Sequence, residues 1–418
     1  MSESTKQQYD LYLNTLETGL LKVAQVVLLE EGGSLSRFGY RYTDEYLMHP
    51  NAFSLDPVQL PLSKQEFSLP CLGGIPSILD DYLPDDWGRK VLARLAFYRD
   101  GEKLNGNSCI DTLSLLSSSR IGALQWVLPG NSPDYGFGGE ISQISMAEQA
   151  AQMVDQPGDY SEDIDKLSLL FLANAGTSVG GARPKALISD EDNVYLAKFN
   201  RLNHDDYNNA RVELACLLMA QAAGLEVSLG RVETGINDRE VLLLNRFDVV
   251  KKNGQFFRRH LITANALLKE PASQRDRGGS FRYDDLAQLI RLYCVDAKND
   301  LEQLLRMMLF NRAINNLDTH ERNFSFINID GCYRLSPAYD MVPSLVNGAY
   351  PVAGFQYSPV PPLPCEVANH GKIFGLPKTD VKQIAEEVAE AIKNWRQWSE
   401  QAGVSEEDSE KVLRVLKA

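Results

Sequence analysis

The stretch from residue 300 to residue 340 constrains this chain more than any other. Leu301, Leu304, Leu305, Met308, Leu309 and Ala313 recur three or four positions apart, which is the stripe of a core helix over 300–315. That helix runs into a polar segment, Asn315-Asn316-Leu317-Asp318-Thr319-His320. Two strand-like runs follow at 324–328 and 333–335, with Ile329-Asp330-Gly331 between them. Asp-Gly favours the left-handed turn that matches the twist of a two-stranded hairpin. A core helix, a polar loop and a tight hairpin fix the path of the chain, and the hairpin carries Asp340 back towards Asn323.

That path brings a chemically useful set together. A hydroxyl that attacks a γ-phosphate needs a carboxylate to orient it and accept its proton. The transferring phosphates need Mg²⁺, which takes oxygen ligands such as amides and carboxylates. Asp318, Asn323 five residues later, and Asp340 after the hairpin supply that set. D-x-x-x-x-N alone is a loose pattern, and a solvated polar loop is its rival; the hairpin and Asp340 narrow the choice.

Residues that such a site needs occur upstream in matching order. Lys198 lies in Tyr195-Leu196-Ala197-Lys198-Phe199, a strand that would hold an ammonium over the α- and β-phosphates. Glu213, on the helix expected at 206–223, is placed to pair with it, as a strand lysine and a helix glutamate do in protein kinases. The glycine-rich segment Gly176-Thr177-Ser178-Val179-Gly180-Gly181-Ala182-Arg183-Pro184-Lys185 is neither G-x-x-x-x-G-K-[ST] nor G-x-G-x-x-G. Successive N–H groups at 180–182 would still make an anion nest, with Arg183 or Lys185 beside it. A glycine turn between two elements is the plainer alternative.

Around this centre the chain divides into three parts. Residues 1–155 read as a mainly β, α+β unit with a helix at about 84–98, and the polar stretch 156–162, with Pro157-Gly158, reads as its border. A β-rich segment at 156–250 contains strands at 185–189 and 194–200, the helix, and a strand at 239–250 whose apolar run Val241–Leu244 suits burial on both faces. Residues 251–418 turn helical, with helices at 283–294, 300–315 and 379–402. A small mixed lobe followed by a helical one places a ligand between them.

Composition excludes several other classes. The chain has 418 residues, 44% of them hydrophobic and 23% charged, as in soluble globular proteins. Its 56 acidic against 42 basic side chains give a net charge of −14, which repels polyphosphate and anionic membrane surfaces. The six cysteines are scattered without C-x-x-C, and the five histidines without H-E-x-x-H, so reduced and mostly buried thiols are expected and a His-based metal site is not. The first ten residues show no export signal, and the apolar run at 19–29, broken by Lys22, is too short to span a bilayer. The expectation is a cytoplasmic protein without membrane contact.

The chain resembles the HipA family of serine/threonine kinases, the toxins of HipBA-type toxin–antitoxin pairs. The resemblance rests on Ser178-Val179-Gly180-Gly181-Ala182-Arg183-Pro184-Lys185, Leu196-Ala197-Lys198, Asn245-Arg246-Phe247-Asp248, the segment from Asn316 through Asp318, His320 and Asn323 to Ser325, and Ser336-Pro337-Ala338-Tyr339-Asp340. Phe38-Gly39-Tyr40, Tyr46-Leu47, 76–89 and Arg120-Ile121-Gly122-Ala123-Leu124 extend it through the N-terminal part. It implies an α+β, two-lobed, protein-kinase-like fold with a β-rich accessory subdomain, and use of ATP with Mg²⁺. By motif, Asp318 is the catalytic base, Asn323 and Asp340 are the Mg²⁺ ligands, and Lys198 binds phosphate with Glu213 as its ion-pair partner. Gly180, Gly181, Ala182, Arg183 and Lys185 form the nucleotide loop. Asn245, Arg246 and Phe247 line the adenine, and His320 and Tyr339 lie beside the nucleotide. Ser178 matches an autophosphorylated serine whose dianionic form would repel ATP phosphates.

The resemblance further implies a HipB-like DNA-binding antitoxin as partner, DNA contact mainly through it, and a protein substrate in translation, an aminoacyl-tRNA synthetase being the family's best-known kind. The −14 charge fits operator binding handled by a basic antitoxin. The loop at 274–279, with Arg275 and Arg277, is a candidate substrate-facing surface, against the default of a solvated loop. Two further functions remain open: a small-molecule kinase with the same catalytic loop, and a silent antitoxin-bound co-repressor. The N-terminal unit, which small-molecule kinases lack, speaks against the first. The complete set Lys198, Asp318, Asn323 and Asp340 speaks against the second.

Overall fold

The computed structural model describes residues 4–101, 103–155, 183–201, 205–237, 239–271, 273–277 and 280–417. Strands β1 (Ser4–Thr15), β2 (Gly19–Glu31), β3 (Ser34–Tyr42), β4 (Phe67–Pro70) and β5 (Leu124–Val127) form an antiparallel sheet in the order β4-β3-β2-β1-β5. Alternation builds its packed face. Leu11 and Leu13, Val26 and Leu28, and Phe38, Tyr40 and Tyr42 each fall two apart and are buried in one cluster. The helix Asp86–Asp100 starts at the acidic pair: Asp85 is its N-cap and accepts from the Gly88 N–H at 2.8 Å.

A second sheet contains β6 (Gly139–Glu140), β7 (Lys185–Ser189), β8 (Val194–Phe199), β9 (Gly230–Ile236) and β10 (Arg239–Asn245), ordered β6-β7-β8-β10-β9. Val241 and Leu243 join one core cluster while Leu242 and Leu244 join the other, so β10 is covered on both faces as its apolar run requires. The strand expected at 239–250 stops at Asn245. The Arg246 N–H turns back to the Val194 carbonyl, and β11 (Val249–Lys252) pairs instead with β12 (Gln255–Arg258).

The segment 139–155, which the sequence assigns to the N-terminal unit, packs with this second sheet. β6 runs parallel to β7, Gly139 opposite Ile188. In the following helix, Ile144–Asp155, residues Ala147, Ala150, Ala151 and Val154 cover Ala186, Ile188 and Ala197 together with Trp87, Val91 and Leu95 of Asp86–Asp100. Small residues at helical spacing need an apolar sheet face, and this sheet supplies it. The polar border expected at 156–162 lies outside the described residues.

The C-terminal part is helical around Tyr283–Tyr293 and Ala297–Ala313, whose apolar stripe is fully buried. Strands β13 (Leu261–Thr263), β14 (Ser325–Ile329) and β15 (Cys332–Leu335) make a small antiparallel sheet. Asp330 and Gly331 turn the hairpin with φ of 52° and 79°, the left-handed pair that Asp-Gly predicts. The single helix expected at 379–402 is two, Lys378–Lys393 and Trp395–Gln401. Asn394 breaks it, donating from its side chain to the Glu390 carbonyl at 2.9 Å, and Trp395 turns fully inward. All six cysteines are free thiols; Cys71, Cys109 and Cys216 are buried, Cys294 is half-buried, and Cys332 and Cys365 are exposed. No helix among the described residues is long and apolar enough to cross a membrane.

Candidate active site

The β7–β8 register sets Lys185 directly opposite Lys198, so the two side chains share a face of the sheet. The helix Asn209–Ala222, capped by Asn208, brings Glu213 beneath it. Lys198 Nζ meets Glu213 Oε1 at 2.5 Å and also pairs with the Asp340 carboxylate from the helical lobe. Burial works against the Lys198 ammonium, but Asp340 and Glu213 outweigh it and raise its pKa above the ordinary lysine value. Burial would likewise push the Asp340 carboxyl up, yet Lys198 and Lys185 hold it below the ordinary carboxylate range. Lys185 is pulled below its ordinary value by burial, with Asp340 opposing and Lys198 adding to the shift.

On the other side of the cleft, residues 316–323 are tied to themselves. The Asn316 amide donates to Asn311 Oδ1 at 3.0 Å and to the Asp340 carbonyl at 3.3 Å, and its oxygen accepts from the Asp318 N–H at 3.1 Å. Asn323 Nδ2 donates to the Asp318 carbonyl at 2.6 Å. The Asp318 side chain is 73% exposed, with His320 Nε2 3.5 Å from its Oδ1. An open recess of about 270 Å³ lies beside it, lined by His320, Arg322, Asp276 and Arg277 among others. A somewhat larger one, about 320 Å³, sits in the N-terminal sheet against Tyr82 and Trp126.

Among the described residues, no three His, Cys, Asp or Glu side chains cluster as a metal site. The oxygen donors that the loop and the strand after it offer are the Asn323 amide, held on the Asp318 carbonyl, and the Asp340 carboxylate, held on Lys198. Donating its N–H₂ to Asp318 leaves Asn323 Oδ1 as the acceptor end. Both are hard oxygen ligands of the kind Mg²⁺ takes beside substrate phosphates, so the donor set fits that ion.

Between the lobes, Phe247 stacks on Tyr339 with ring centroids 6.0 Å apart, and Tyr339 OH meets Ser325 Oγ at 2.6 Å. Asn245 is exposed, with its carbonyl accepting from Ser228 Oγ. The Arg246 side chain is turned away from the cleft. Its guanidinium donates to both Asp248 oxygens, at 2.9 and 2.6 Å, and to the Arg120 carbonyl at 2.9 Å. Asp248 also accepts from the Gly122 N–H at 2.7 Å, where a φ of 74° suits glycine. Arg183 is engaged with Asp205 at 3.2 Å. Ser178, Gly180, Gly181 and Ala182 lie outside the described residues, as do Gly278 and Gly279 of the loop at 274–279.

The sequence did not single out Asp80 and Asp81. Asp80, at the end of the short helix Ser77–Asp80, pairs with Arg322 Nη2 at 2.8 Å and Lys269 Nζ at 3.1 Å. Asp81 accepts from the Thr263 N–H and hydroxyl, both at 2.7 Å. No local pattern links Asp80 to a residue 242 positions on.

A lysine-bearing sheet in a smaller lobe, facing an Asp–Asn loop and a following hairpin Asp in a helical lobe, defines a two-lobed, protein-kinase-like fold of the α+β class. The chain matches the HipA-like C-terminal domain over residues 177–396 and the HipA N-terminal domain over residues 20–127. It belongs to the HipA family. Its fold is that of Shewanella oneidensis HipA, from a toxin–antitoxin complex with HipB and operator DNA: the TM-score is 0.67 at 18% identity, over 97% of this chain and 94% of that one. The protein Y4mE of Sinorhizobium fredii is 28% identical over 141 residues, which is 33% of this chain and only 33% of the relative's own length.

Proposed function

We propose that this chain is an ATP- and Mg²⁺-dependent serine/threonine-protein kinase and the toxin of a HipBA-type pair. The observation that carries this is the Lys198 ammonium, buried between Glu213 of its own lobe and Asp340 of the other. That cation has nothing to do in a merely structural lobe that a neutral pair would not do better. Beside a nucleotide it is a ready partner for the α- and β-phosphates.

Asp318 then orients the acceptor hydroxyl and takes its proton as the oxygen attacks the γ-phosphorus, and the bond to the β–γ bridging oxygen breaks to leave ADP. Asn323 and Asp340 would hold Mg²⁺, which when bound would supply charge neutralisation at the phosphates. By the family motif, Lys185 and the loop residues 180–183 would bind the phosphate tail, and Asn245 with the paired rings of Phe247 and Tyr339 would flank the base; His320 stands near Asp318. Arg246 acts from behind, by fixing the inter-lobe segment. An Asp318 carboxylate that is 73% exposed suits an acceptor on a protein surface better than an enclosed small molecule. A translation component such as an aminoacyl-tRNA synthetase is the substrate class, and Ser178 the site of autophosphorylation.

The partner is a HipB-like antitoxin. Shewanella HipA is seen with HipB and operator DNA, and a chain of net charge −14 needs a basic partner to approach DNA. The protein acts in the cytoplasm. The test is incubation of purified protein with γ-labelled ATP and Mg²⁺, with peptide mapping by mass spectrometry. Label at Ser178 and on added protein is expected. Labelling that persists in Asp318→Asn would overturn the assignment.

A further inference from the structure

We infer that Asp80, which lies outside the cleft on the N-terminal unit, is a positioning residue that holds the loop 318–323 through Arg322. The inference rests on the kinase reading above and deepens it, making the N-terminal unit a buttress of the catalytic loop. Asp80 is a focus of donors: Arg322 Nη2 at 2.8 Å, Lys269 Nζ at 3.1 Å and Asn265 Nδ2 at 3.0 Å. Burial pushes its carboxyl up, but Arg322 and Lys269 hold it below the ordinary carboxylate range, so it is ionised where it meets them.

The contact reaches both proposed metal ligands by short paths. Arg322 immediately precedes Asn323. Its carbonyl accepts from Tyr339 OH at 2.9 Å, and Tyr339 immediately precedes Asp340. Asp81 secures the same end of the loop by a second route: it grips Thr263, the N-cap of Ala264–Leu267, and the Ala264 N–H donates to the carbonyl of Phe324, the residue after Asn323, at 2.8 Å. The N-terminal unit is pressed close enough to act as a support. The Ile75 N–H donates to the Gln274 carbonyl at 3.0 Å, and a Cβ on Gly74 would collide with that oxygen.

A bland alternative is an ion pair that only adds stability. Arg322 is 43% exposed, and half-exposed pairs contribute little to stability. What distinguishes this pair is its place, one residue from Asn323 and joined by its carbonyl to the residue before Asp340. Displacing a reacting group by about an ångström costs on the order of a hundredfold in rate. Loss of one restraint among several is expected to cost about tenfold in kcat.

The test compares wild type, Asp80→Asn, Arg322→Gln and the double variant in ATP-dependent labelling, with Mg²⁺ titrated and unfolding followed by circular dichroism. Asp80→Asn is expected to lower kcat about tenfold and raise the Mg²⁺ requirement, with KM for ATP within about twofold. The double variant should be no worse than Arg322→Gln, because the two residues act in series. Unchanged kcat and Mg²⁺ dependence in Asp80→Asn, or losses that multiply in the double variant, would sink the inference. If Asp80→Asn did not fold, Arg322→Gln at its half-exposed position carries the test, and an unaltered kcat there overturns it. Wild type that transfers no label at all would instead overturn the kinase reading, so the two failures are distinguishable.

Discussion

Two cations near the cleft each hold a carboxylate from a distant part of the chain. Lys198 is 9% exposed and sits between Glu213 and Asp340; Arg322 is 43% exposed and reaches Asp80. Lys198 points into the space between the lobes, where an incoming phosphate would compete for it. Arg322 points out of that space and grips the N-terminal unit. On the kinase reading proposed above, the first is the charge a phosphate would meet and the second is a support. Burial and direction, more than charge, separate chemical work from support.

Substitutions can break that contrast. The largest effect is expected at Asp318. Asp318→Asn should cut phosphoryl transfer about a thousandfold, while its exposure keeps stability within about 0.5 kcal/mol of wild type in urea unfolding. Lys198→Met should lose transfer about a hundredfold and, unlike Asp318→Asn, destabilise by about 3 kcal/mol, because Glu213 and Asp340 lose their shared cation and keep only the more distant Lys185. A Lys198→Met protein as stable as wild type would show that the buried pair is not formed as described. Asp248→Asn, which weakens the buried grip on Arg246, should cost about 2 kcal/mol with labelling near wild type, as expected of a joint behind the site.

The smallest effect concerns pH. Burial pushes the Asp81 carboxyl up from 3.8 to about 6, although its bonds from Thr263 oppose the shift. A folded-state pKa above the unfolded one contributes stability below pH 3.8 that is lost as pH rises through about 6. The difference in unfolding free energy between wild type and Asp81→Asn should therefore shift against wild type from pH 4 to 6. A flat difference across that window would show that Asp81 is not enclosed with Thr263.

The cleft was largely legible in the sequence because its parts are local. Asp318 and Asn323 sit on one loop, Asp330 and Gly331 set one hairpin, and Lys198 precedes its helix partner Glu213 by a single connection. The apolar run of β10 announced burial on both faces. What escaped was long-range. Asp80 meets Arg322 only because the N-terminal unit docks on the helical lobe, and no periodicity encodes docking. Arg246, read as lining the base by resemblance, is turned into Asp248 and the Arg120 carbonyl, and that choice depends on the facing loop at 120–122. The break at Asn394 was hidden because helical spacing continues through it while the chain changes direction.

The strand β6 has a consequence for how this protein can be cut. Gly139 and Glu140 cover the free edge of β7, and the helix after them roofs Ala186, Ile188 and Ala197. A fragment beginning at residue 177, where the C-terminal family match starts, would carry the whole proposed phosphate-transfer set yet bare both that edge and that apolar face. Such a piece would seek another strand to pair with, and self-association would overtake folding.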